Sequence, residues 1–128
     1  MKIEPYFIEG TQKTPTIRYD LDKNLLVISG KSIPENHSSF YAPFLAWLDE
    51  FVKDPPEYTE VKINLEYFNT SSSKVLLVIF RKMEDIIRNN KKVEIKWHYE
   101  EDDYDMKDCG DDYQSMIIIP FEMIPEAE

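Results

Sequence analysis

A run of small polar residues, Asn69-Thr70-Ser71-Ser72-Ser73, is the part of the sequence whose residue types and spacing suggest chemistry. It stands between an alternating segment that predicts a strand and an apolar pattern that predicts a helix. A helix N-terminus has unpaired backbone N–H groups and about half a positive charge, so hydroxyl side chains can cap it and a phosphate is stabilised there. The run therefore fits either a helix cap or a phosphorylated switch.

In the switch hypothesis, Thr70 accepts a phosphoryl group, which adds about −1.5 to −2 charges at the positive end of the helix. We expect Asn69 to orient the turn through an Asx-type hydrogen bond, and Ser71 or Ser72 to cap the helix. Lys74 is placed to help neutralise the phosphate. In the alternative hypothesis these residues only cap the helix, and the protein is a constitutive interaction or oligomerisation module.

The residues most often used in catalysis and metal binding give no comparable signal. Cys109 is the only cysteine, and its neighbours Asp108 and Asp111 should raise its pKa, which opposes use as a nucleophile. His37 and His98 lie far apart in the sequence, without the spacing that places two imidazoles on one helical face toward a metal. The sequence predicts no catalytic residue and no metal site, and His98 is predicted to lie on the surface.

An acidic segment at residues 100–112 invites a calcium-binding interpretation. Lys107 and Asp108 stand where an EF-hand loop would need an oxygen ligand and a glycine, so a solvated acidic loop is favoured. None of the three glycines belongs to a nucleotide-binding motif. We therefore expect a non-enzymatic protein without a cofactor.

Composition narrows the class of protein and of partner. Hydrophobic residues at 42% and aromatic residues at 13% are too frequent for a disordered chain, and no apolar run reaches the roughly 18 residues of a membrane span. The N-terminus does not resemble a secretory signal, and one cysteine cannot form an internal disulfide. The net charge of −10 opposes binding to nucleic acid or to an anionic membrane. We expect a cytoplasmic protein with protein partners.

The length of 128 residues fits a single domain spanning residues 1–128. Predicted strands cover residues 16–20, 25–29, 61–67, 93–99 and 116–123, and apolar residues at helical spacing predict helices within 40–52 and 74–88. Pro43 lies inside the first helical pattern and predicts a helix start or a kink there.

The order of these elements predicts an α/β fold. A strand, a helix and a strand between residues 61 and 99 favour a right-handed crossover with parallel strands. These strands alternate apolar and polar residues, which predicts helices mainly on one face of the sheet, with Tyr67 on the buried face and Glu84 turned to solvent. Pro120 predicts a sheet edge or a bulge. The predicted fold is a mixed sheet of about five strands in the order ββαβαβ(α)β, the bracketed helix being optional.

The strand, the short Asn-Thr-Ser-Ser turn and the following amphipathic helix are similar to those of STAS, or anti-sigma-factor-antagonist, domains. Four segments in the same order resemble more closely the SiaC-like family of bacterial biofilm regulators: Gly-Thr-Gln-Lys-Thr-Pro at 10–15, Ile-Pro-Glu-Asn at 33–36, Tyr-Phe-Asn-Thr-Ser-Ser-Ser-Lys at 67–74 and Lys-Trp-His-Tyr at 96–99. Together they run through most of the chain.

This resemblance implies a non-enzymatic, STAS-like phosphoprotein that switches between partners. It implies that Thr70 is the phosphorylated residue and that a protein kinase and a Ser/Thr phosphatase set its state. It also implies that the unphosphorylated form engages a diguanylate cyclase and promotes cyclic-di-GMP synthesis and a biofilm lifestyle.

Overall fold

The computed structural model describes residues 4–127. Within that range the chain forms a six-stranded sheet and three helices. The elements in chain order are β1 (Tyr6–Ile8), β2 (Thr16–Asp20), β3 (Leu25–Ser32), α1 (His37–Phe51), β4 (Tyr58–Phe68), α2 (Thr70–Arg88), β5 (Lys92–Glu100), α3 (Tyr104–Met116) and β6 (Phe121–Glu126).

The strands lie in the sheet in the same order as in the chain. β1, β2 and β3 pair antiparallel, whereas β3, β4, β5 and β6 pair parallel. The predicted mixed α/β sheet and the predicted parallel pairing of β4 with β5 are therefore confirmed. β1 adds a sixth strand at one edge. β6 forms the other edge, so the edge that Pro120 predicted is present, although Pro120 lies just before the strand.

All three helices cover one face of the sheet, as the alternation predicted. Inward side chains such as Ile28, Ile63 and Trp97 are fully buried, whereas Lys62 and Lys96 on the opposite face are half-buried. α1 packs on β1 and β2 through aromatic rings, with Trp47 stacked between Phe44 and Phe51 and tilted against Tyr19. α1 begins at His37, well before Pro43, because the Asn36 side chain accepts a hydrogen bond from the Ser39 N–H at 3.1 Å and caps it.

A β-bulge corrects the prediction that Tyr67 lies on the buried face. Gly30 pairs with Leu65, but the next residue, Lys31, pairs with Tyr67, so Glu66 is an extra residue in β4. An extra residue reverses the alternation beyond it. Tyr67 is therefore 57% exposed, and Phe68 turns inward to meet Trp97 edge to face.

The acidic segment is helical, so its prediction as a solvated loop was wrong, and the optional helix of the predicted order is present. Asp103 caps α3 by accepting a hydrogen bond from the Met106 N–H at 3.0 Å. Met106, Gly110 and Tyr113, spaced four and three residues apart, form the buried face of α3. α3 extends to Met116, so the final strand begins at Phe121 rather than at residue 116, and Pro120 immediately precedes it.

Glu84 is buried rather than turned to solvent. Its carboxylate accepts a hydrogen bond from the Ile118 N–H at 2.9 Å and faces Arg81 at 3.5 Å and Arg88 at 3.8 Å. Buried charges are retained when they are paired and hydrogen-bonded. Glu84 thus fastens the connection between α3 and β6 to α2.

Candidate functional site

The predicted turn lies between β4 and α2, and Asn69 is its cap. The Asn69 side chain accepts a hydrogen bond from the Ser72 N–H at 2.9 Å. The backbone N–H of Asn69 donates to the Ser32 carbonyl at 3.1 Å. The predicted Asx-type role of Asn69 is confirmed, whereas the prediction of Ser71 or Ser72 as the cap was wrong. The cap fixes the start of α2 at Thr70 and ties it to the end of β3.

Thr70 is the first residue of α2 and its side chain is exposed. Within residues 4–127 its hydroxyl makes no hydrogen bond, although its carbonyl accepts one from the Ser73 hydroxyl at 2.7 Å. The first backbone N–H that donates within α2 is that of Ser73, to the Asn69 carbonyl at 3.0 Å, so the N–H groups of Thr70 and Ser71 have no intrahelical acceptor. The first turn of α2 contains no acidic residue. Thr70 therefore presents a free hydroxyl beside the positive end of a 19-residue helix.

A buried chain of hydroxyl groups lies beneath Thr70. The Ser72 hydroxyl donates to the Ser32 carbonyl at 2.8 Å, and the Ser32 hydroxyl donates to the Ser72 oxygen at 2.7 Å. Each hydroxyl has one proton, so the Tyr41 hydroxyl must be the donor to Ser32 Oγ, at 2.5 Å. All three side chains are fully buried, and burial raises the pKa of Tyr41. The chain joins the start of α2 to β3 and α1.

Sequence reasoning missed a second anchor, which comes from α3. The Tyr113 hydroxyl donates to the Ser73 carbonyl at 2.7 Å, and its ring meets Phe80 edge to face. Burial strongly raises the pKa of Tyr113. In the sequence, this anchor was indicated by the spacing of Met106, Gly110 and Tyr113 along the acidic segment.

Lys74 lies one helical turn beyond Thr70, and it is exposed. Its ammonium group makes no ion pair with any carboxylate of the described chain. Ser71 is half-buried beside it, whereas Ser72 lies below the surface. The structure thus places Thr70, Ser71 and Lys74 together at the surface and uses Asn69 and Ser72 to hold them.

The other chemically notable residues lie elsewhere or lack partners for catalysis. The pKa of the Cys109 thiol is raised by burial and then by Asp112 and Asp105, so the thiolate is disfavoured. His98 Nδ1 lies 2.7 Å from Glu126, and its side chain is half-buried rather than fully at the surface. Among residues 4–127 no group of three or more His, Cys, Asp or Glu side chains is arranged to hold a metal ion. Within residues 4–127, every helix is too short or too polar to span a lipid bilayer.

Comparisons with known proteins identify a family and similar folds. Residues 8–126 match the family described as "SiaC family regulatory phosphoprotein". An uncharacterised protein of Pseudomonas aeruginosa strain UCBPP-PA14 is 29% identical over 114 residues, which cover 89% of this chain and 90% of that protein.

Two crystal structures from Pseudomonas aeruginosa have closely similar folds. Apo-SiaC is 28% identical, with a TM-score of 0.84 over 94% of this chain and 98% of that one. A chain in the structure of the diguanylate cyclase SiaD in complex with its activator SiaC is 28% identical, with a TM-score of 0.86 over 96% of this chain and 99% of that one.

Proposed function

We propose that this chain, which belongs to the SiaC family of regulatory phosphoproteins, is a non-enzymatic, cytoplasmic, single-domain regulator that exchanges protein partners when Thr70 is phosphorylated. The observation that carries the proposal is the exposed hydroxyl of Thr70, unbonded within the described chain, at the first residue of α2. A kinase needs an accessible hydroxyl, and the Thr70 hydroxyl is exposed and makes no hydrogen bond within the described chain.

The surroundings of Thr70 suit a phosphate. The N–H groups at the start of α2 and the helix dipole favour an anion there, and Lys74 is a cation without a competing ion pair among the described residues. Phosphorylation would add about −1.5 to −2 charges at one surface point. Because Asn69 and Ser72 already fix the turn from below, the modification would change the surface without remodelling the fold.

The proposed partners are supported by the similarity to SiaC. In Pseudomonas aeruginosa, SiaC is the activator of the diguanylate cyclase SiaD and forms a complex with it. We propose that a diguanylate cyclase is the downstream partner of this chain, that a protein kinase and a Ser/Thr phosphatase act on Thr70, and that Asn69, Ser71, Ser72 and Lys74 form the environment of the phosphate. The output would be control of cyclic-di-GMP synthesis and of biofilm behaviour.

A second candidate function is a constitutive interaction or oligomerisation module. Large apolar side chains on the surface favour it, since Tyr104 is 72% exposed, Ile118 61% and Tyr67 57%. In that case the residues from Asn69 to Ser73 would serve only the start of α2.

Peptide mass spectrometry distinguishes the two functions. Protein is purified from its own host with phosphatase inhibitors under several growth conditions, as wild type, Thr70→Ala and the matched control Ser73→Ala. We expect a phosphate on Thr70 in the wild type and in Ser73→Ala, and none in Thr70→Ala. Each phosphorylation state then serves as bait for the host diguanylate cyclases.

Two results would contradict the switch. One is an unmodified Thr70 under every condition, and the other is a cyclase that binds both phosphorylation states equally. Either would favour the constitutive module.

A further inference from the structure

A groove runs along α3 from the carboxyl ends of β4 and β5. It exists because β4 and β5 pair only as far as Ile63 and Trp97, after which β4 continues beside β3 and β5 continues beside β6. In parallel α/β sheets, the gap between diverging strand ends is a common place for ligands. The ends of β4 and β5 therefore leave an opening that α3 borders.

Three adjoining cavities make up this groove, which we call the α3 groove. The first, of about 210 Å³, lies between Leu65 and Tyr99, and it shares Glu66 and Asp103 with the second, of about 150 Å³. The third, of about 270 Å³, shares Cys109 with the second and ends at Met116. Ser73 and Lys74 line this third part, so the groove passes directly beside the start of α2.

The wall that α3 contributes is a single helical stripe. Asp105, Cys109, Asp112 and Met116 are spaced four, three and four residues apart, which places them on one face of the helix. The adjacent face, with Met106 and Tyr113, is buried against the sheet. The stripe thus alternates carboxylates with a thiol and a thioether.

The carboxylates of the groove are not neutralised by the chain itself. Glu66, Glu100, Asp105 and Asp112 make no ion pair with any cation of residues 4–127. The one lysine of α3, Lys107, pairs with Asp111 at 2.8 Å, and both lie outside the groove lining. Lys74 is the only basic side chain in the described lining, against these four unpaired carboxylates, so the rim is net acidic. Leu65, Phe68, Leu77 and Met116 make other parts of the lining apolar.

We propose that the α3 groove docks a basic amphipathic helix of a protein partner. An apolar trough with uncompensated carboxylates complements a helix that has apolar residues at i, i+3 or i+4 and i+7 and lysine or arginine beside them. α3 has 13 residues, so it extends about 20 Å, enough to lie along three to four turns of such a helix.

A second copy of this chain suits the groove less well. The basic side chains of α2 are largely committed within the molecule, since Lys82 pairs with Asp49 at 2.7 Å and Arg88 pairs with Asp85 at 2.8 Å. The acidic rim also repels nucleic acid. The proposal goes beyond the function proposed above and does not depend on phosphorylation of Thr70.

The test uses unphosphorylated, isotope-labelled full-length protein and a synthetic 18-residue helical peptide of leucine and lysine, with a leucine and glutamate peptide of the same pattern as control. We expect the lysine peptide to shift the NMR signals of groove amides at 65–68, 73–77 and 103–116, and to slow alkylation of Cys109 by iodoacetamide. The glutamate peptide should do neither.

Matched variants separate docking from general charge attraction. Asp105→Asn with Asp112→Asn should weaken peptide binding about tenfold. Asp111→Asn with Glu122→Gln removes two charges outside the groove and should weaken it less than about twofold, because these carboxylates are already paired with Lys107 at 2.8 Å and Lys96 at 3.0 Å.

Equal weakening by both pairs, or shifts outside the groove, would overturn the proposal. So would groove signals that move with protein concentration alone together with a dimer in analytical ultracentrifugation, since the occupant would then be a second copy. None of these results bears on whether Thr70 is phosphorylated.

Discussion

Thr70 and Ser72 are two residues apart and both carry hydroxyl groups, but their environments assign them different roles. Thr70 is exposed and its hydroxyl is unbonded within residues 4–127, whereas the Ser72 hydroxyl is fully buried and bonded to Ser32. Breaking a buried hydrogen bond lowers the free energy of unfolding more than removing a solvent-exposed hydroxyl does. We therefore expect modification to be tolerated at Thr70 and opposed at Ser72.

A stability comparison of Asn69→Ala with Thr70→Ala tests this division of roles. Asn69→Ala removes the acceptor for the Ser72 N–H and should lower the free energy of unfolding by about 0.5–2 kcal/mol. Thr70→Ala removes a hydroxyl without a partner in the described chain and should change it by less than about 0.5 kcal/mol. Urea denaturation followed by tryptophan fluorescence measures both. A larger loss for Thr70→Ala than for Asn69→Ala would mean that Thr70 has a structural role.

At this scale the sequence predicted which residues cluster but not which of them face inward. Asn69, Thr70 and Lys74 were predicted as neighbours of one site, and the structure brings them together at the start of α2. The burial of Ser72 was not predicted, because serine is usually exposed. A signal was present, since Ser72 precedes Leu76 by four residues and Ile79 by seven, which continues the apolar stripe of α2.

Among the elements, α3 was the hardest to predict, and it is the one that shapes the groove. Six aspartates between residues 102 and 112 mask the three positions that pack inward. One of these is Gly110, where an added Cβ would lie 2.6 Å from the Trp97 ring and 2.6 Å from Met123 Cε. The Trp97 Nε1–H donates to the Met106 carbonyl at 3.1 Å, so the helix backbone rests on the indole. A glycine is what permits that approach.

Gly110→Ala tests how closely α3 must approach the sheet. The methyl group would force the helix or Trp97 to move, at a cost of about 1–3 kcal/mol, which outweighs the gain of up to about 1 kcal/mol from the higher helix propensity of alanine. We expect a net loss of stability in urea denaturation and a shifted NMR signal of the Trp97 Nε1–H. Asp108→Ala, at an exposed position of the same helix, is the control and should not lower stability. An unchanged Trp97 signal with wild-type stability in Gly110→Ala would show that the contact is not tight.

The elements with strong periodicity were predicted well, for a physical reason. β4, α2 and β5 bury one regular face each, so their apolar spacing follows their geometry directly. The two wrong orientations, of Tyr67 and Glu84, lie where a local contact interrupts the apolar periodicity. One is the bulge before Tyr67, and the other is the hydrogen bond to Ile118 that holds Glu84 inward. Both depend on contacts with distant parts of the chain, which periodicity does not contain. The likeness to STAS domains stays a prediction.

Across the whole molecule, the core between the sheet and the helices contains several buried tyrosines. Tyr19, Tyr41 and Tyr113 are buried, and burial raises the pKa of each above its usual value of 10.0. Their hydroxyl groups reach Asn24, Ser32 and the Ser73 carbonyl, respectively. Because the folded state holds these phenol protons more tightly than the unfolded chain does, the free energy of unfolding depends on pH in the alkaline range.

The sign of that dependence follows from the raised pKa values. Below pH 10 both states keep the phenol protons, and the contribution of the tyrosines to stability is fully present. Above pH 10 the unfolded chain loses these protons first, so it binds fewer protons than the folded state, and the free energy of unfolding falls as pH rises. Each tyrosine can contribute up to about 1.4 kcal/mol per pH unit until its folded pKa is reached.

Tyr113→Phe isolates one part of this dependence. The variant loses the hydrogen bond to Ser73 at every pH, but it also loses a titrating group, so its stability should fall less steeply above pH 10 than that of the wild type. Lysines with raised pKa values, such as Lys96, act in the same direction, but they are present in both proteins and cancel in the comparison. Urea denaturation at intervals from pH 8 to pH 11.5 gives the two slopes. Parallel slopes for Tyr113→Phe and the wild type above pH 10 would mean that the buried end of α3 opens before Tyr113 ionises, and that the anchor from α3 to the start of α2 is lost before the fold is.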